Sequence, residues 1–93
     1  MRIAFCLLEM HIPEATSLKQ KRQVIGSMVK RLRNRFNFSV AEVGYKDLWQ
    51  RSELGIAAIC QNSADADRVL EQALSFIERE NRVNIISTRT EVY

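Results

Sequence analysis

SLKQKRQVIGSMVKRLRNRF, residues 17–36, decides how the rest of the chain must fold. Its apolar positions Leu18, Ile25, Met28, Val29, Leu32 and Phe36 recur at helical spacing, so the segment is expected to form one long amphipathic helix with a stripe to bury. Lys19, Lys21, Arg22, Lys30, Arg31, Arg33 and Arg35 fill most of what remains, half of the chain's 14 Lys and Arg, with no acid among them. Charge of one sign along a helix repels itself unless water, salt or an anionic partner screens it. Ser17 and Gln20 match the capping box, in which each side chain satisfies an orphan amide of the first turn. Asn34 and Asn37 bracket the far end, where asparagine can take the left-handed conformation that stops a helix. Gly26 interrupts the segment at a cost of about 1 kcal/mol relative to alanine. A close approach to a strand or to a ligand would account for it, and so would simple tolerance.

Upstream, RIAFCLLEMHI (2–12) alternates Ala4, Cys6, Leu8, Met10 and Ile12 with Ile3, Phe5, Leu7, Glu9 and His11. The first set is wholly apolar and the second apolar in its first half, which predicts a central strand with one face against helices. Pro13 ends the ladder because it has no donor. Downstream, residues 38–46 (FSVAEVGYK) and 53–61 (ELGIAAICQ) alternate as strands, and the short DLWQR link at 47–51 predicts an antiparallel hairpin. Asn62 and Ser63 are turn and cap residues. Asp65 to Glu80 reads as a second helix with Ala66, Val69, Leu70, Ala73, Phe76 and Ile77 inward, and Asp65 and Asp67 suit its positive end. Arg82 to Val92 is a last strand, rich in β-branched residues.

The order is βαββαβ, whose familiar solution is an α+β, ferredoxin-like sandwich. Both helices then cover one face of a four-stranded antiparallel sheet. Strand order 4-1-3-2 puts the most apolar strands in the middle.

Ninety-three residues make one domain. No apolar run is long enough to span a bilayer and no signal-peptide pattern opens the chain, so a soluble, cytosolic protein away from membranes is expected. Cys6 and Cys60 lie in apolar segments without partners at metal-ligand spacing, and are expected to be reduced and buried. Residues 1–51 hold ten Lys or Arg against four Asp or Glu, whereas residues 52–93 hold four against seven, giving +6 and −3. That asymmetry points to an electropositive face for a polyanion, although a merely solvated surface has the same composition.

Three blocks, HIPEATSLKQKR (11–22), LRNRFNFSVAEV (32–43) and DLWQRSELGIA (47–57), resemble the YlxP family of small bacterial proteins, over nearly the whole chain. The resemblance implies a ferredoxin-like fold. Because the family's genes usually neighbour a translation initiation factor and a ribosome-binding factor, it also implies a loose link to translation. It implies no established activity and supplies no catalytic residues.

Two surfaces are candidates for binding. Lys19, Arg22, Lys30 and Arg33 fall on one side of the apolar stripe at about one per turn, with Arg31 and Arg35 on the other. A row of cations can follow phosphates with salt-dependent, sequence-tolerant affinity, and structured RNA or the ribosome is the expected partner, with Lys19, Lys21, Arg22, Lys30, Arg31, Arg33 and Arg35 as the expected phosphate contacts and Trp49 and Arg51 as an auxiliary edge. A solvated helix back is the plainer reading of the same charges. Trp49, between Lys46 and Arg51, could stack on an unpaired base or a partner's side chain, or fold inward over the core, with Asp47 capping the turn. If Ile3, Phe5, Leu7, Ala57 and Ile59 share the open sheet face, they form an apolar patch, and a homodimer across that face is expected. An acidic partner protein is the rival occupant of the basic helix.

Enzymatic readings find little support. His11, Glu9, Glu42 and Glu53 could converge on the open face but lack a ligand spacing. Neither cysteine has an adjacent activating cation. Gly26, Gly44 and Gly55 build no phosphate loop. No catalytic residue, cofactor or metal is assigned.

Overall fold

The structure, a computed structural model, describes residues 1–93. Its elements are β1 (Arg2–His11), α1 (Leu18–Arg35), β2 (Ser39–Gly44), β3 (Arg51–Cys60), α2 (Ser63–Glu78) and β4 (Asn84–Val92). They form one antiparallel sheet in the order β2-β3-β1-β4, the expected 4-1-3-2 read from the other edge.

Alternation along β1 carries the layering. Ala4, Cys6, Leu8, Met10 and Ile12 are buried in one cluster with Ile25, Met28 and Leu32 of α1 and Ala66, Leu70 and Ile77 of α2. Both helices therefore cover the same face of the sheet, α1 over β2 and α2 over β1, β3 and β4. Fully burying each such Leu, Ile or Met is worth about 1.5–3 kcal/mol. The opposite set, with Phe5 across from Ala57 and Leu7 across from Gly55, faces away from the helices.

The helix ends follow local chemistry. Ser17 caps α1, its Oγ accepting from Gln20 N at 3.1 Å. The reciprocal half of the box is displaced by one residue, because Gln20 Oε1 accepts from Thr16 N rather than from the Ser17 amide. At the far end neither asparagine turns left-handed: Phe36 goes directly to extended backbone, its amide bonded to Leu32 O. Phe36 there stacks on Phe38 and meets Phe76 edge-on, so an aromatic cluster draws the chain out of the helix. Asn62 caps α2 through Asp65 N at 2.8 Å.

Several boundaries differ from expectation. β2 stops at Gly44, and Tyr45 follows with φ 56°, the only non-glycine residue in the left-handed region. Arg51 belongs to β3, so the β2–β3 connection is the six-residue loop 45–50. α2 starts at Ser63 and β4 at Asn84, each two residues from the predicted start.

Candidate functional site

Seven cations of α1 were expected to share one role, and the structure divides them. Lys21 is fully buried and lies on the inward stripe with Ile25, Met28 and Leu32, at positions i, i+4, i+7 and i+11. Its Nζ donates to Tyr45 O at 2.6 Å and Lys46 O at 3.1 Å, and stands 3.0 Å from Glu42 Oε2. Ser52, itself buried, donates to the same oxygen at 2.6 Å. This lysine cannot reach a phosphate and is withdrawn from the binding row. Its amine acts instead as an internal clamp on the β2–β3 loop.

Arg31 is also committed, paired at 2.5 Å with Glu80, which Arg82 holds from the other side. The two guanidiniums, led by Arg82, hold the Glu80 carboxyl down to about 2. Arg35 lies 5.8 Å from the Phe76 ring centre and 5.9 Å from that of Phe36, covering the aromatic cluster. Arg33 donates to Val40 O at 2.5 Å, which ties the last turn of α1 to β2 but leaves its charge uncancelled.

Lys19, Arg22, Lys30 and Arg33 enter none of the chain's ion pairs. All four are exposed, and with Gly26 they occupy about 80° of the helix circumference over a rise of about 21 Å. Gly26 stands at the middle of this row, and a Cβ there would meet nothing within 4 Å. No strand approaches it, so the packing explanation for this glycine falls away.

Trp49 is 53% exposed rather than folded over the core. Leu48 and Tyr45 of the same loop are exposed beside it. Arg51 stands 5.1 Å over the Tyr45 ring and donates to Glu9 Oε2 through Nε at 2.7 Å, so this predicted contact residue is partly engaged within the protein. Asp47 does not cap the turn: the turn closes through Leu48 N to Tyr45 O at 3.1 Å, and the Asp47 carboxylate takes no protein partner. His11, Asp47, Leu48, Trp49, Gln50 and Arg51 line a shallow depression here. Of that set only Trp49 and Arg51 were expected as contact residues, because the approach of His11 depends on its register opposite Arg51.

The four titratable groups that could have converged on the open face do not form a cluster. Glu9, His11 and Glu53 lie on the open face, while Glu42 is turned to Lys21 on the helix side. Cys6 and Cys60 are buried and unpaired, and burial pushes the Cys6 thiol up, away from reactivity. No helix is long and apolar enough to cross a membrane.

A family model described as a protein of unknown function (DUF503) matches residues 3–90. The chain belongs to this family. An uncharacterized protein YlxP of Bacillus subtilis (strain 168) is 39% identical over 89 residues, covering 96% of this chain and 97% of that one. Among solved structures, a de novo designed protein, Foldit4, superposes with a TM-score of 0.57 at 14% identity over 98% of this chain and 97% of its own. That likeness concerns the fold alone. For a DUF503 member the question of function therefore passes to the surfaces just described.

Proposed function

We propose that the protein is a non-enzymatic RNA-binding module, acting on structured RNA or at the ribosome, whose contact surface is the Lys19, Arg22, Lys30 and Arg33 row of α1. One observation carries this reading: the row is exposed, unpaired by any acid, and centred on a glycine that nothing in the protein requires. Arg22 and Lys30 are separated by about 12 Å of helix rise, with Gly26 between them. Two pairs of cations so placed can hold phosphates on either side of a groove while the backbone at Gly26 approaches the nucleic acid closely. Such contacts read shape and backbone and lose affinity steeply with salt, as duplex RNA binding does. The cytoplasm and the translation apparatus are the setting that the family's usual gene neighbourhood suggests.

The test is retention of a fluorescent RNA hairpin in 50 mM and 200 mM salt by the wild type and by a variant carrying Arg22→Glu and Lys30→Glu. Neither residue has an internal partner, so the fold is preserved. Binding that falls with salt in the wild type and is lost in the variant supports the reading. Binding that survives both substitutions removes the row as the site.

A homodimer across the open sheet face belongs to the same reading. Ile59 is 69% exposed and Ile3, its register partner, is exposed with Val43 and Tyr93. Four strands about 4.8 Å apart and six to ten residues long present roughly 550 Å², near the lower end, about 600 Å², of what each partner of a standard interface contributes. Facing sheets would leave both basic helices outward. A partner protein bearing acids is the second reading of the row, and retention of the protein by an acidic polypeptide but not by the hairpin would favour it.

A further inference from the structure

We propose that the β2–β3 loop is a nucleobase site, in which an unpaired guanine stacks on the Trp49 indole and the Asp47 carboxylate accepts from its N1–H and N2 amino group. This rests on the RNA reading and adds to it a site for a single-stranded residue.

The loop is built to hold its apolar side chains in water. Lys21 clamps the carbonyls of Tyr45 and Lys46 from inside the core, and Ile12 N donates to Gln50 O at 2.9 Å. Gln50 Nε2 spans to Pro13 O at 3.1 Å and Ala15 O at 3.0 Å. Tyr45 is held left-handed, a conformation that costs a bulky residue free energy and persists only where its surroundings impose it. A loop free to relax would turn Trp49 onto the core, as a lone Trp in a small domain ordinarily does. Instead the indole stands out from a braced backbone, so a flat ligand meets an exposed aromatic face.

The groups around it select the ligand. Gln50 is spent on two carbonyls, and Arg51 on Glu9 and the Tyr45 ring. His11 and Asp47 remain of the polar groups lining the depression, and of the two the ionised carboxylate is an acceptor only. Guanine alone among the four bases presents two adjacent donors on its Watson–Crick edge and so can meet a carboxylate in bidentate fashion. Cytosine and adenine offer one amino group and uracil one imide. Lys21 also joins the first turn of α1 to this loop.

Trp49 is the chain's only tryptophan, so its fluorescence reports this site directly. The intact protein is titrated with the RNA tetramers UUGU, UUAU, UUCU and UUUU. Saturable quenching by UUGU at least about fivefold tighter than by the other three, with Asp47→Asn abolishing that preference, supports the site. Asp47 is exposed and unpartnered, so D47N retains the fold. Absence of saturable quenching, equal affinity for all four tetramers, or a guanine preference that survives D47N overturns it. The Arg22→Glu, Lys30→Glu variant keeps the two readings apart: hairpin retention lost there while the tetramers never quench the wild type removes the base site and leaves the row.

Discussion

Lys21 Nζ and Glu42 Oε2 meet at 3.0 Å, with the lysine side chain wholly excluded from solvent. The pair joins the first turn of α1 to the edge strand β2, and its remaining hydrogen bonds are satisfied by two loop carbonyls and Ser52. Burying two charges is costly, and the pair is tolerated because every polar atom around it is partnered.

Lys21→Met should therefore cost about 3–5 kcal/mol, since it strands a carboxylate and frees two carbonyls. Urea denaturation of K21M, E42L and the double variant checks this. The double variant should recover part of the loss, because the uncompensated charge is gone. K21M should also change Trp49 fluorescence before global unfolding, as the clamp on its loop is released. Unchanged stability in K21M would refute a structural role for the pair.

Acid should weaken the fold through Glu80. Its carboxyl lies at about 2 in the folded protein against 4.5 ordinarily, so the stabilisation is complete above pH 4.5 and fades as pH falls towards 2. Arg31 and Arg82 are each nearly half exposed, and solvent screening limits the contribution to about 1–2 kcal/mol. Glu80→Gln should be less stable than wild type at pH 7 and nearly equal to it at pH 2. Thermal melts across that range measure the difference.

Gly26→Ala should stabilise the protein by up to about 1 kcal/mol, because alanine is the better helix former and its methyl group meets open space. For a chain of this size that raises the melting midpoint by roughly 4–8 °C. If the row grips RNA closely at Gly26, the same variant should bind the hairpin more weakly while melting higher. A stabilised variant with undiminished binding would show that the glycine is merely tolerated.

Ile59→Lys should leave the melting midpoint nearly unchanged, since the side chain stands largely in solvent, and should convert a sheet-to-sheet dimer into monomer. Sedimentation equilibrium at micromolar concentration decides it. A wild type that sediments as a monomer there refutes the dimer.

The order of elements, the sheet topology, and the inward residues of β1 and α2 were legible because periods of two and 3.6 are local properties of the chain. Ser17 could likewise be read as a cap, since its partner lies three residues away. The fate of the cations could not. Lys21 occupies a stripe position, but burial there requires Glu42, Ser52 and the carbonyls of residues 45 and 46, which only the packed sheet brings to it. Arg31 finds its acid 49 residues along the chain.

By itself the sequence determined a βαββαβ sandwich with an electropositive first helix, because hydrophobic periodicity and charge sign are carried residue by residue. The tertiary structure alone decided which charges face water and which are locked inside, and that Trp49 points outward. Those outcomes depend on distant groups meeting at hydrogen-bond distance, and the energy of such a meeting is absent from any local stretch.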